Sequence, residues 1–320
     1  MPERSSESGT LPLRVSIPLF PYDRWPSIDA MAEAVSHADR LGYHAVGFPE
    51  HMIMPVTDST PASVVWYDNF VLAATLAAAT SRIRLLFHAN VVPYRHPVEL
   101  AKLIATLDVV SKGRVTVLAG TGWMRREFAI LGIPFEERGP RTDDALRAMK
   151  TLWTEPQPSY EGAFFSFPPV HFFPTCVQEP HVPIWIGGNG PRPMRRAVEL
   201  GDGWIPLGGT FEEAAEGIGV LRDRLEEAGR DPATFTFGSM LPFGETDAAH
   251  HAAALHHAHG RAVPEPRTRG VQETIDRIGE YRAAGINHVV LQFDWRTPAD
   301  YMETLEQFAA EVLGQVQPAG

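Results

Sequence analysis

The chain has 320 residues, with 28 Lys and Arg against 39 Asp and Glu, so its formal net charge is −11 at pH 7. Hydrophobic residues make up 44 % and charged residues 21 %. Those proportions exclude wholesale disorder, and the acidic balance argues against nucleic acid as a partner. No apolar run approaches the ~20 residues of a membrane span, so no membrane partner is expected. The start, Met1-Pro2-Glu3-Arg4-Ser5-Ser6-Glu7-Ser8, has no basic stretch followed by an apolar one, and residues 1–12 read as a flexible tail. Cys176 is the single cysteine, which excludes an internal disulfide and fits a reducing cytoplasm.

Along the chain a helical stretch repeatedly ends in glycine and a short apolar strand follows. Asp39-Arg40-Leu41-Gly42 precedes His44-Ala45-Val46-Gly47-Phe48, and Val110-Ser111-Lys112-Gly113 precedes Val115-Thr116-Val117-Leu118. The same punctuation recurs at Glu199-Leu200-Gly201 and at Ala283-Ala284-Gly285. Glycine accepts the left-handed conformation that ends a helix, and a buried parallel strand shows as a short apolar run. Eight strands are predicted, near residues 15–19, 45–48, 83–87, 115–119, 184–187, 203–207, 235–239 and 289–293. Between them, Leu100, Leu103, Ile104, Leu107 and Val110 mark one apolar helix face. The fold class is therefore α/β, a (β/α)8 TIM barrel occupying residues 13–315 as a single domain. A doubly wound sheet is the rival, but no Gly-x-Gly-x-x-Gly follows the first strand. Two connections exceed a minimal barrel: residues 155–183, read as a hairpin excursion, and residues 241–270, read as a lid or substrate loop.

Barrel chemistry gathers at the C-terminal ends of the strands. That places Glu50 and His51, His88-Ala89-Asn90, Gly120-Thr121-Gly122-Trp123, Gly187-Gly188-Asn189-Gly190 and Asp294-Trp295 at the mouth. The last glycine cluster, followed by Pro191 at the start of a helix, reads equally as a phosphate cradle or as a tight turn. Arg192, Arg195 and Arg196 add positive charge beside it. His51 is either a proton donor and acceptor or a ligand of loop backbone. Gly120-Thr121-Gly122-Trp123 is either a surface for a flat ring or a turn before a core tryptophan. Arg95 reads as one end of a surface salt bridge. The histidines at 250, 251, 256, 257 and 259 are too irregularly spaced for a metal site, and no metal is expected.

As a set, these motifs resemble the luciferase-like monooxygenase superfamily, and within it the oxidoreductases that use the deazaflavin coenzyme F420. The matching stretches run from Gly42-Tyr43-His44-Ala45-Val46 and Glu50-His51 through Pro93-Tyr94-Arg95-His96-Pro97. They continue through Ser111-Lys112-Gly113-Arg114, Gly120-Thr121-Gly122-Trp123 and Arg138-Gly139-Pro140-Arg141-Thr142-Asp143. Tyr160-Glu161-Gly162, Pro183-Ile184-Trp185-Ile186-Gly187-Gly188-Asn189-Gly190 and Ala197-Val198-Glu199-Leu200-Gly201-Asp202-Gly203-Trp204 complete the set. The resemblance implies the same barrel, with a cofactor ring at its mouth and the cofactor phosphate on Gly187, Gly188, Asn189 and Gly190. It puts Asn90 and Val91 at a bulge ending the third strand, where relatives carry a non-proline cis peptide. Glu50, Gly120, Gly122 and Trp123 would complete the cofactor surface. His51 would lie beside the reactive ring and handle the proton, since Trp123 stands where some F420 enzymes have a glutamate. Trp66, Tyr67, Trp295 and the 241–270 loop would shape the pocket of a small-molecule substrate. An FMN-dependent two-component monooxygenase served by a reductase is the alternative it implies, and a cofactor-binding member without turnover is the third. Relatives suggest a homodimer.

Overall fold

The computed structural model describes residues 13–56, 63–244 and 270–316. Its strands are β1 (Arg14–Pro18), β2 (Ala45–Phe48), β3 (Arg84–Val91), β4 (Val115–Gly120), β5 (Tyr160–Glu161), β6 (Ser166–Phe167), β7 (Ile184–Gly187), β8 (Gly203–Ile205), β9 (Thr236–Pro242) and β10 (His288–Gln292). β5 and β6 form a separate antiparallel pair, and the other eight close into a parallel barrel in chain order, with β10 returning to β1. Around it lie α1 (Ile28–Leu41), α2 (Asn69–Ala78), α3 (Pro97–Ser111), α4 (Arg125–Ile130), α5 (Arg138–Thr154), α6 (Pro191–Leu200), α7 (Phe211–Glu227), α8 (Val271–Ala284) and α9 (Pro298–Phe308). This is the expected (β/α)8 barrel. Among the described residues no helix is long and apolar enough to cross a membrane.

Strands such as β2 and β7 are buried at every residue, because helices cover one face and the barrel interior the other. The helix ends follow local chemistry. The Ser27 hydroxyl accepts from the Ala30 N–H at the start of α1, and Gly42 closes it with φ 90°. Two of the glycine stops work differently from the sequence reading. Lys112 itself takes the left-handed cap of α3, at φ 58°. Gly201 has φ −100°; glycine stands there because a Cβ would come within 2.9 Å of Ile186 and 3.0 Å of the Ala197 carbonyl.

β3 runs four residues beyond its predicted end. A register shift between His88 and Asn90 absorbs one residue, after which Asn90 pairs with Ala119 and Val91 with Gly120. The polar His88 and Asn90 hid this extension from a search for apolar runs. The expected strands at 203–207 and 235–239 become Gly203–Ile205 and Thr236–Pro242.

The barrel interior is layered. Near the N-terminal ends of the strands, Ser16 Oγ and His288 Nε2 are hydrogen-bonded at 2.9 Å, and the rings of His44 and Trp185 meet His288 at 5.6 and 4.7 Å. Arg84 beside them donates to Thr116 Oγ1, to the Gly113 and Val115 carbonyls and to Gln178 Oε1. Above lies an apolar layer of Ala45, Leu86, Leu118, Trp185, Ile205 and Val290. Between α5 and β7, the β5–β6 hairpin is fastened to Asp144, which accepts from Tyr160 Oη at 2.7 Å and from the N–H groups of Phe164 and Phe165. Residues 245–269, most of the 241–270 connection with its histidines, lie outside the described residues, as do residues 1–12.

Burial, then the neighbouring His44 and Arg14 charges, keeps His288 neutral well below the ordinary histidine pKa. In the unfolded chain the same imidazole takes up a proton near pH ~6.5. Stability from this residue is therefore complete above that pH and falls as pH drops below it, by about 1.4 kcal/mol per pH unit. Urea unfolding between pH 7.5 and 5 should show this loss, with a shallower slope in His288→Asn. An unchanged slope would remove His288 from the cause.

Candidate active site

Two buried carboxylates organise the mouth of the barrel. Glu50, just after β2, accepts from Asn90 Nδ2 at 2.9 Å and from the Val91 N–H at 2.6 Å, and pairs with Arg95. It thus binds the end of β2 to the bulge of β3, in which the His88–Ala89 peptide is cis. Burial pushes the Glu50 carboxyl above its ordinary range, against the pull of Arg95. Arg95 is correspondingly no surface residue. Its side chain is 8 % exposed and also pairs with Asp68 at 3.0 Å. The surface-bridge expectation fails because the Glu50 charge needs an enclosed counter-ion.

Glu127, in the first turn of α4, is the second carboxylate, and it is fully buried. It accepts from His51 Nδ1 at 3.0 Å, from the N–H groups of Met52 and Ile53, and from the Tyr94 hydroxyl. Burial alone would raise its pKa; the bonds from His51 and Tyr94 outweigh that and hold it below the usual carboxylate value. His51 meets the rings of Trp66 and Trp123 edge to face, at 4.6 and 5.6 Å. Trp66 in turn stacks on Phe20 at 4.6 Å, and Tyr22 touches both Trp66 and Tyr67. Tyr67 and Trp123 remain 38 % and 36 % exposed, so this aromatic group opens outward. Trp295 is buried against Trp25 and Tyr301, just beyond the end of β10.

Gly120 and Gly122 fit closely under the bulge. A Cβ on Gly120 would sit 3.2 Å from that of Ala89. Gly122, at φ 78°, faces Phe128 and Val91 with no room for a side chain. Across the mouth, Gly188 and Gly190 also hold positive φ. The Gly188 N–H is spent on the Ile205 carbonyl. The Asn189 side chain holds the loop after β8, accepting from Leu207 N at 2.9 Å and donating to the Gly208 carbonyl at 3.0 Å.

The flanking arginines divide. Arg195 and Arg196 both bind Asp143 on α5, and Arg195 also Glu199, so they fasten α6 to α5 and leave the mouth. Arg192 stays exposed at the start of α6. Arg138 is the cation that the sequence reading passed over. Its Nε donates to the Gly122 carbonyl at 3.2 Å and its guanidinium lies 3.8 Å above the Phe135 ring. Burial and the like charges of Arg125 and Arg192 lower its pKa, with Glu136 pulling the other way. Glu127 is thus the charge bonded to His51, while Arg138 lies beside the Gly122 turn and Arg192 at the start of α6. Among the described residues no three His, Cys, Asp or Glu side chains are placed to hold a metal ion.

Residues 6–313 match the family described as luciferase-like monooxygenase. The chain belongs to this family. An uncharacterised protein of Mycobacterium tuberculosis is 34 % identical over 214 residues, 62 % of this chain and 75 % of the relative. The oxygenase component of the flavin-dependent trigonelline monooxygenase of Acinetobacter baylyi is 31 % identical over 175 residues, 54 % of this chain and 46 % of the relative. An F420-dependent secondary alcohol dehydrogenase, solved with an F420–acetone adduct, superposes with a TM-score of 0.75 at 17 % identity, over 95 % of this chain and 99 % of the other. Members of the luciferase-like family are oxidoreductases and monooxygenases.

Sequence reasoning missed Glu127 as well as Arg138. The available signal was a lone acid one helical turn past Trp123, set between the apolar Met124 and Phe128. Gly122→Ala tests the closeness of the strand-four turn. Its Cβ would lie 2.6 Å from Phe128 and 2.7 Å from Val91, on a left-handed backbone. Urea unfolding should show a loss of about 2–4 kcal/mol.

Proposed function

We propose that this chain is an F420-dependent oxidoreductase that moves a hydride between the cofactor and a small organic substrate held at the barrel mouth. The observation that carries the reading is the division of one opening into the Glu127-bound His51 on one side and the glycine and arginine side on the other. At Gly190 a Cβ would meet no atom within 4 Å, so open space adjoins the first turn of α6, whose backbone dipole favours an anion. With Arg192 and Arg138 nearby, that space fits a cofactor phosphate. The tight contact of Gly120 with Ala89 leaves a flat wall between it and His51, which fits a planar ring. When bound, a deazaflavin supplies the carbon that takes or gives the hydride. The chain's residues bind the phosphate, orient the ring, exclude water with Trp66, Tyr67 and Trp123, and exchange a proton at His51.

The second reading is the oxygenase component of an FMN-dependent pair, fed with reduced FMN by a reductase. The Acinetobacter relative favours it. In both readings the protein acts on a small molecule, works in the cytoplasm and forms a homodimer; a monomer by light scattering would refute the last.

Titration with F420 and, separately, with FMN, followed by tryptophan quenching, separates the two. Preferential F420 binding is expected, weakened at least tenfold by Arg192→Glu, which reverses an exposed charge at the start of α6. Preferential FMN binding would move the assignment to the oxygenase, and binding of neither would overturn both. Once a substrate is found, His51→Ala should lower kcat by about 10²-fold or more with cofactor affinity nearly unchanged. An unchanged kcat would end the proton role of His51.

A further inference from the structure

We propose that Glu127 is a positioning residue that dictates which nitrogen of His51 carries the proton. In the neutral imidazole it fixes Nε2 as an acceptor facing the mouth, so the site selects ligands that offer His51 an O–H or N–H. The ligand half of this inference rests on the reading of His51 as the proton-handling group of the site.

Four polar groups converge on Glu127. One oxygen, Oε1, accepts the backbone N–H groups of Met52 and Ile53, and the other, Oε2, accepts the Tyr94 hydroxyl and faces His51 Nδ1 at 3.0 Å. The two backbone donors cannot reverse and bar a proton from Oε1; the bonds from His51 and Tyr94 at Oε2, outweighing burial, hold the carboxyl below its usual range, so at neutral pH it is ionised. An ionised carboxylate only accepts. Nδ1 therefore donates, and a neutral imidazole with its proton on Nδ1 carries its lone pair on Nε2. The edge-to-face contacts with Trp66 and Trp123 hold the ring plane. Nε2 has no hydrogen-bond partner among the described residues, and the side chain keeps 12 % of its surface exposed.

The same geometry predicts what an isosteric change does. In Glu127→Gln, the fixed N–H groups of Met52 and Ile53 retain the oxygen of the new amide. Its NH2 then faces His51 and Tyr94. Nδ1 must become an acceptor, which moves the proton to Nε2 and reverses the polarity that His51 presents. Tyr94→Phe removes a donor from the same carboxylate oxygen and leaves it an acceptor, so the tautomer should stay as it is.

The tautomer is read directly by two-bond proton–nitrogen correlation on 15N-histidine-labelled protein without cofactor, at about pH 9, well above the reference histidine value. His51 is assigned by the signal lost in His51→Gln. The wild type and Tyr94→Phe should show the proton on Nδ1, and Glu127→Gln should show it on Nε2. A proton on Nε2 in the wild type, or no difference between wild type and a folded Glu127→Gln, would overturn the proposal. If Glu127→Gln does not fold, the wild-type and Tyr94→Phe spectra decide it.

The ligand half uses two probes of one skeleton, 1-phenylethanol and acetophenone, under the same conditions. The alcohol offers an O–H and the ketone only accepts. The wild type should bind the alcohol about tenfold more tightly, the factor of one neutral hydrogen bond, and Glu127→Gln should reverse the preference. Equal affinities, or binding of neither probe, would overturn the ligand half. Because both measurements use cofactor-free protein, their outcome is independent of the F420 and FMN titrations.

Discussion

The Glu50 carboxylate is the constraint on which the mouth depends. It is buried, and burying a charge is costly unless its oxygens are met by donors and a counter-ion. Asn90, Val91 and Arg95 meet that demand, and in doing so they bring three segments together: the end of β2, the bulge of β3 and the turn before α3. His51 follows Glu50 directly, so its backbone position is set by the same bonds. Ala89 and Val91 flank Asn90 on the bulge, and they define the wall against which Gly120 and Gly122 close. Removing either oxygen's partners would leave a buried charge and misplace a histidine and a glycine turn together.

Glu127 complements this from the other side. It reaches His51 across 76 positions of sequence. The proton on His51 is thereby coupled to a buried negative charge. Beyond Trp123, Arg138 holds the Gly122 carbonyl, so the same turn carries a guanidinium on one side and the aromatic neighbour of His51 on the other.

Much of the scaffold was legible because barrel strands and helices leave local patterns. Wholly buried strands appear as apolar runs, and helix ends show as glycines and caps. What stayed hidden depended on pairs that no local pattern records. The bulge that lengthens β3 is built from polar residues. Glu127 sits on a helix of only six residues, too short to show a periodic face. Arg195 and Arg196 misled by their nearness in sequence to the glycines, since a helix turns them toward Asp143 on α5. The packing of Trp295 against Trp25 and Tyr301 joins residues far apart in the chain and leaves no local pattern. Gly187-Gly188-Asn189-Gly190 was visible as a motif, whereas the use of the Asn189 side chain to brace the neighbouring loop was not.

The connection from α5 to β7 reaches the opposite end of the barrel. Gln178 there donates to Asp108 Oδ1 and to the Val115 carbonyl and accepts from Arg84, while Asp108 also accepts the Val177 N–H. With His288, Thr116 and Ile83 buried beneath it, this segment stoppers the floor. Side chains and backbone from β3, α3, β4 and this connection thus share one amide, so a change at Gln178 loosens four segments at once.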